Sequence, residues 1–355
     1  MAGVYYGAVF GGSTSSILLN APGVPGTVAT SFDGYPMAQQ GKAGKALAIA
    51  AWSSFAGGTL SAIYLLFMAP SLSKVSLSFR SPDYFALMIL GLTAIAAFSS
   101  KGQFLKAMMM VVLGLMLASV GQDSLSDITR FTFDNMNLTD GISFVLVVMS
   151  TFAMSEALTI ILKRNDPTAA AKQVSLTELG SIRINKEERG KMYRTIPRSS
   201  VIGFLIGVLP GAGATIASFL AYGMERNLVK DEEKEKFGKG SVNGLSAPET
   251  ANNAACSGSF VPMLTLGIPG SGTTAVMLGA LLGFGIQPGP RLYMTNPEIF
   301  WSVIMSMYIG MVILLILNLP LIPYIARILA VPKNYLIPLI LFFSITGIYV
   351  MSFNN

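Results

Sequence analysis

The chain has 355 residues, 52% hydrophobic and only 12% charged, about half the charged share of an ordinary soluble domain. It holds no His and a single cysteine, Cys256, which excludes disulfide frameworks, Cys/His zinc sites, haem ligation and Ser-His or Cys-His catalysis. The formal net charge of +6 comes from basic residues that flank apolar stretches and form no patch with interleaved aromatics, so the composition points to a lipid bilayer and away from nucleic acid.

Five apolar stretches in the first half have roughly the 20 residues a crossing helix needs, or somewhat fewer: Val4 to Leu19, Ala46 to Met68, Tyr84 to Ser99, Phe104 to Val120 and Ile142 to Leu162. If the charged segment Lys163 to Arg198 is cytoplasmic, counting back leaves only Lys74, Arg80 and Arg130 in the outer loops, against every other Lys and Arg up to Lys239 in the inner ones. That asymmetry supports a multi-pass chain in this orientation. The N-terminus has no charged region and no cleavage site, unlike a signal peptide.

Ser199 to Gly223 lies between two charged segments and carries Pro210, Gly211 and Gly213 at its centre. Two arms of about ten residues are each too short to cross, which predicts a re-entrant hairpin with its tip at Pro210-Gly211; a kinked span is the alternative. Irregular backbone at membrane depth is tolerated only where it is buried in protein or lines a cavity.

An internal repeat follows. LLNAPGVPGTVA (Leu18 to Ala29) aligns with TLGIPGSGTTAV (Thr265 to Val276), so that Leu19, Pro22, Gly23 and Thr27 recur as Leu266, Pro269, Gly270 and Thr274 at an offset of 247. Both copies carry a Pro-Gly break and a nearby hydroxyl within apolar sequence, and Gly11 to Thr30 and Asn252 to Thr274 are rich in small polar residues. One broken crossing plus four ordinary ones makes an odd number per copy, so the second copy inserts upside down. The expected organisation is a first transport repeat over 1–162, a cytoplasmic connector over 163–198 and a second repeat over 199–355. The repeat also places a first hairpin before Met1 and two further spans beyond Asn355, which predicts a chain truncated at both ends. The fold class is therefore an all-α polytopic membrane protein, an inverted-repeat secondary transporter with a re-entrant hairpin and Pro-Gly-broken helices.

A helix that restarts after a Pro-Gly break presents free backbone N–H groups and about half a positive charge at its N-terminus. Two such starts, after Gly23 and Gly270, suit an anion carrying several carboxylates. The candidate substrate-binding residues are Ser13, Thr14, Asn20, Pro22, Gly23 and Thr27 in one copy, Pro210 and Gly211 at the hairpin, and Asn252, Asn253, Pro269, Gly270, Thr273 and Thr274 in the other; Ser15 and Ser271 belong to the same clusters. For any one hydroxyl, close packing of membrane helices is the competing role. Glu249 is the candidate for coupling to H+ or Na+, its alternative being a helix N-terminal cap. Asp33 reads as a turn residue, Glu156 as an interface or snorkelling acid, and Lys230 to Lys239 as a solvated loop. No cofactor, metal site or catalytic constellation is expected, so an enzyme is not.

The stretches YYGAVFGGSTSSILLNAPGVPGTVATSFDGYPMAQQGKAGKAL (Tyr5 to Leu47), GVLPGAGATIASFLAYGMER (Gly207 to Arg226) and SAPETANNAACSGSFVPMLTLGIPGSGTTAVMLGA (Ser246 to Ala280) resemble the large membrane subunit of tripartite tricarboxylate transporters, the TctA type. The resemblance covers almost the whole chain. It implies a permease of the bacterial inner membrane, working with a small four-span membrane subunit and a periplasmic solute-binding protein that delivers a tricarboxylate or related carboxylate. Transport would draw on an ion gradient, and no Walker-type GxxxxGK[ST] motif for ATP occurs. Two alternatives remain open at this point: a truncated, non-transporting remnant, and an anion symporter that needs no binding protein.

Overall fold

The computed structural model describes residues 2–20, 22–76, 103–123, 128–142 and 180–319, with scattered positions between 78 and 89, between 146 and 162 and between 321 and 349. Glu156, residues 163–179 of the connector, and most of the expected spans Tyr84 to Ser99 and Ile142 to Leu162 lie outside the described residues.

The described chain is built of helices: α1 (Ala2–Leu19), α2 (Val28–Met37), α3 (Ala43–Ser76), α4 (Phe104–Ala118), α5 (Lys186–Val208), α6 (Gly213–Leu228), α7 (Val242–Leu266), α8 (Gly272–Gly283) and α9 (Pro297–Asn318). Two described helical stretches, Pro25–Leu72 and Pro297–Asn318, are long and apolar enough to cross a membrane, and Phe104–Ala118 and Gly272–Gly283 are shorter apolar helices. Helix α1 matches the expected first span and α4 the expected fourth. Helix α3 starts before the expected Ala46 because α2 runs into it through a π-helical turn, Ala38–Lys42, bent where Gly41 takes φ 74°.

Two compact units result. One holds 1–78, 166–274 and 287–331; the other holds 79–165, 275–286 and 332–355. This partition cuts across the sequence halves, since α1 to α3 and α5 to α7 belong to the same unit. The packing units therefore do not follow the expected boundaries at 162 and 199. In the second unit, α4 is followed by a two-residue antiparallel ladder, Gly121–Gln122 with Thr129–Arg130, closed by Arg130 on Asp123 at 2.6 Å.

Helix α7 is the axis of the first unit. Its sequence, VNGLSAPETANNAACSGSFVPMLTL, is poor in helix formers and contains Pro248 and Pro262, yet every residue from Asn243 to Thr265 is buried. Small side chains make this possible, because they let neighbouring backbones approach closely. Gly203 and Gly207 of α5, in GxxxG spacing, lie flat on Ala251 and Ala255: a Cβ added at either would come within 2.6 Å of the Ala251 or Ala255 Cα. Gly57 of α3 meets the Thr250 backbone in the same way, and Gly258 returns the contact to α5 at Phe204 and Gly207. The burial of α7 therefore follows from packing, which overrides its low intrinsic propensity.

The segment expected to be the connector is helical from Lys186. Asn185 and Glu188 form a reciprocal capping box, with the Asn185 N–H donating to Glu188 Oε2 at 2.7 Å. A charged layer surrounds this start: Lys45 pairs with Glu188 at 2.9 Å, and Lys191 with Glu187 at 2.9 Å and Glu233 at 3.0 Å. Partial burial pushes Glu188 up, but the Asn185 N–H, the Lys45 hydrogen bond and the fields of Lys45 and Lys191 outweigh it and hold its carboxyl below the ordinary value. Glu233 is held down likewise, by Lys236 and Lys191 against its burial.

Candidate functional site

The Pro-Gly hairpin exists as a fold-back of two helices. Helix α5 ends at Val208, residues 209–212 turn, with Gly211 at φ 82°, and α6 starts at Gly213 with φ 62°. Positive φ is the reason these positions need glycine. The arms are antiparallel, since Thr195 and Arg198 in the middle of α5, well before the turn, reach Glu225 near the end of α6. Glu225 is fully buried. Its Oε1 accepts from Thr195 Oγ1 at 2.8 Å, Arg198 Nη2 at 2.5 Å and Asn243 Nδ2 at 2.9 Å, and its Oε2 accepts from Arg198 Nε at 2.7 Å. Both arms are longer than the expected ten residues, because α5 begins within the charged segment and α6 runs past Gly223 to Leu228.

The two breaks share one local geometry at the offset of 247 that aligns their sequences. Helix α1 ends at Leu19 and α7 at Leu266; the next residues, Asn20 (φ 51°) and Gly267 (φ 72°), are both left-handed. Asn and Gly are the residues that enter this region most readily. Gly23 then folds back on Gly12, and Gly270 on Ser259, itself 247 residues after Gly12. A Cβ at Gly23 would lie 2.8 Å from the Gly12 Cα, and one at Gly270 2.9 Å from the Ser259 Cα. Both turns are closed by a threonine. Thr27 Oγ1 donates to the Val24 carbonyl at 2.9 Å and accepts from the Val24 N–H at 3.5 Å; Thr274 Oγ1 donates to the Ser271 carbonyl at 2.9 Å and accepts from the Ser271 N–H at 2.8 Å.

These elements converge. The Gly211 N–H at the hairpin tip donates to the Gly270 carbonyl of the second break at 3.3 Å. Gly26 of the first break packs on Ala214 at the start of α6 and on Asn252 of α7, 3.1 and 3.5 Å from the place its Cβ would take. Asn252 Nδ2 donates to the Gly26 carbonyl at 3.4 Å. From α1, the Tyr5 hydroxyl lies 3.2 Å from Ser271 Oγ.

Placement within this cluster separates the expected residues. Asn20, Pro22, Gly23, Gly211 and Thr273 are exposed, and Pro210 and Pro269 half-buried. Ser13, Thr14, Thr27, Asn252, Asn253, Gly270 and Thr274 are buried. The Ser13 hydroxyl donates to the Phe10 carbonyl of its own helix at 2.8 Å. Thr27 and Thr274 hold their turns shut, and Ser16 adds a hydrogen bond to Thr27 Oγ1 at 2.8 Å. These two threonines therefore have a positioning job, with their hydroxyls already engaged.

Two acids lie elsewhere than expected. Glu249 is no helix cap: the cap of α7 is Ser241, whose hydroxyl accepts from the Gly244 N–H at 3.1 Å, and Glu249 sits two turns inside, fully buried. Its Oε1 accepts from Thr30 Oγ1 and, at 3.5 Å, from Asn252 Nδ2; its Oε2 accepts from Ser54 Oγ at 2.8 Å. Asn253 Nδ2 donates to the Glu249 carbonyl at 3.0 Å. Asp33 is no turn residue either. It lies inside α2, buried, where Oδ1 accepts from the N–H groups of Gly240 and Ser241 at 2.9 and 2.7 Å and Oδ2 from Tyr222 at 3.0 Å. It thus fastens the start of α7 to α2 and α6, a carboxylate at a helix N-terminus. Lys230 to Lys239 contains one helical turn, Asp231–Lys234, and buries Phe237 against Tyr222.

Sequence reading missed the Arg198–Glu225 pair, the Asp33 clamp, and Thr30 and Ser54 as partners of Glu249. Their sequence separations are set by tertiary packing, and no local spacing announces them. Among the described residues no group of three or more Cys, Asp or Glu is placed to hold a metal ion.

The family model described as tripartite tricarboxylate transporter TctA matches residues 1–355. An "Uncharacterized 52.8 kDa protein in TAR-I ttuC' 3'region" of Agrobacterium vitis is 42% identical over 354 residues, all of this chain and 69% of that protein. An "Uncharacterized protein in TAR-II ttuC' 3'region" of the same organism is 46% identical over 153 residues, 43% of this chain and 62% of that protein. No solved structure matches. Matched by the family model along all of its 355 residues, the chain belongs to the tripartite tricarboxylate transporter TctA family and is a membrane transporter subunit.

Proposed function

We propose that the chain is the permease subunit of a binding-protein-dependent secondary transporter, driven by an ion gradient, that imports tricarboxylates or related carboxylates across the bacterial inner membrane. A small four-span membrane subunit and a periplasmic solute-binding protein are its partners. The observation that carries this reading is the convergence of two equivalent breaks and a Pro-Gly hairpin tip, joined by Gly211 and Gly270. Helix starts at a break supply N–H groups and positive dipole without a fixed cation, so they hold carboxylates and still release them. In this reading, α5 and α6 form the re-entrant hairpin of an inverted repeat. Thr273, Ser271, Asn20 and the backbone at 22–24, 211 and 269–270 face the substrate, while Thr27 and Thr274 keep the turns in shape. Glu249, tied by Thr30 to α2 and by Asn252 to Gly26, is placed to link ion binding to the first break.

The test is uptake of labelled citrate by sealed vesicles containing the chain with both partners. Uptake is expected only with the binding protein present and an ion gradient imposed, and is expected to stop when the gradient is collapsed. Uptake that follows ATP in the absence of any gradient would overturn the reading.

A further inference from the structure

Glu249, Asn253 and Ser257 follow one another at four-residue spacing, so they form a single stripe along α7. Asn253 Nδ2 is engaged twice, by the Glu249 carbonyl at 3.0 Å and Asn252 Oδ1 at 2.7 Å. That fixes which end of the amide is oxygen, and Asn253 Oδ1 is left buried with no hydrogen-bond partner among the described residues. Ser257 Oγ and the Tyr6 hydroxyl are in the same condition. Tyr6 belongs to this end of α7, its ring centroid 5.7 Å from that of Phe260. Its neighbour Tyr5 reaches Ser259 at 3.5 Å and Ser271 at 3.2 Å, at the second break.

Buried oxygens of this kind are expensive to leave unpaired, and native proteins satisfy nearly all of them. Two hydroxyls, which can donate and accept, and one amide oxygen, which accepts, suit a file of ordered water along this stretch of α7, each molecule needing two to four polar partners. We propose that Tyr6, Ser257 and Asn253 hold such a hydrated seam, and that it carries protons between the second break and Glu249. This rests on the reading of Glu249 as the coupling residue and names its ion as the proton. In each transfer an O–H bond forms on a Glu249 carboxylate oxygen as one breaks on the adjoining water, which is reprotonated from the next; no electrons change hands.

The other titratable groups on this and the adjoining helices include Tyr5 on α1, Cys256 on α7, Tyr308 on α9 and Tyr64 on α3, the last turned to Ser200 at 3.2 Å, with Lys45 and Lys74 near the two ends of α3 and Glu298 at the start of α9. The charged groups of α2, α5 and α6 nearest α7 in the hydrogen-bond pattern, Asp33, Arg198 and Glu225, are engaged at Ser241 and Asn243, about 9 Å or more along the helix axis from Glu249. Glu249 is thus the acid at the end of the seam.

The experiment is infrared spectroscopy of the full chain in lipid during exchange from H2O to D2O. The protonated carboxyl band lost in Glu249→Gln identifies the group. In wild type that band is expected to shift promptly on exchange. In the double variant Ser257→Ala/Tyr6→Phe, which removes two hydroxyls with little change in shape, the shift is expected to be at least about tenfold slower, because proton access then requires local opening of packed helices. Ser257→Ala alone, with a melting curve beside it, guards against misfolding: a dry seam makes this variant more stable than wild type, a hydrated one does not. Equal exchange rates, a stabilised Ser257→Ala, or loss of the carboxyl band on adding Na+ at constant pH would each overturn the proposal. Citrate uptake failing while the exchange behaves as stated removes the transport reading and leaves the seam; normal uptake with unaltered exchange does the reverse.

Discussion

Replacing Gly207 by valine is expected to leave little folded protein. A Cβ at this position would stand 2.6 Å from the Ala255 Cα and 2.8 Å from its carbonyl carbon. The obstacle is backbone, which cannot turn aside as a flexible side chain can. Overpacking a core costs about 1–3 kcal/mol where neighbours can shift, and here α5 and α7 must separate along a GxxxG seam that small residues alone allow. Because α7 also carries Glu249, Asn252 and the second break, separation disorganises the candidate site. Gly203→Val, against Ala251, is expected to behave in the same way. Gly223 of α6 is the control, since nothing lies within 4 Å of its added Cβ. Gly223→Ala is expected to keep a single sharp peak in detergent size-exclusion chromatography, while Gly207→Val aggregates. A Gly207→Val protein that elutes and melts like wild type would show that the crossing is not tight.

The second large effect concerns the base of the hairpin, and it is asymmetric. Glu225 is fully buried while the Arg198 side chain is 36% exposed. Removing Arg198 strands a carboxylate with only Thr195 and Asn243 as partners, the situation that costs about 3–5 kcal/mol when a buried pair is broken. Removing the charge of Glu225 instead leaves an arginine that can turn to water and snorkel, for a loss of about 1–3 kcal/mol. Arg198→Ala is therefore expected to melt well below Glu225→Gln. The double replacement by methionine is expected to recover most of the difference, because an apolar pair leaves no unpaired charge. Thermal unfolding of wild type and the three variants, compared under one set of conditions, checks this. Equal melting of the two single variants would mean that the pair is solvated and holds nothing together.

What was legible in the sequence was whatever repeats or interrupts it. The offset relating Leu19, Pro22, Gly23 and Thr27 to their second copies also relates the left-handed residues Asn20 and Gly267, which the alignment does not show as identities. Helix α1 and the PGAG turn followed directly from apolar length and from Pro and Gly in apolar sequence. Partnerships between distant polar residues were not legible. Glu249 was visible as an acid beside a small-residue stretch, but only packing distinguishes a cap from a buried acid, and its partners Thr30 and Ser54 come from other helices. Asp33 in FDGYP has the local chemistry of a turn, and tertiary contact with Gly240 and Ser241 overrides that preference. Arg198 and Glu225 were absorbed into charged runs whose solvated appearance hid one buried pair.

In the proposed function the two breaks and the hairpin tip form one carboxylate site. Amide hydrogen exchange of the chain in lipid nanodiscs, with and without saturating tricarboxylate, tests it most directly. Added protection is expected at 22–27, 211–214 and 270–274 together, with 186–200 and 225–240 unchanged. Protection at one break alone, or confined to segments away from all three, would contradict it.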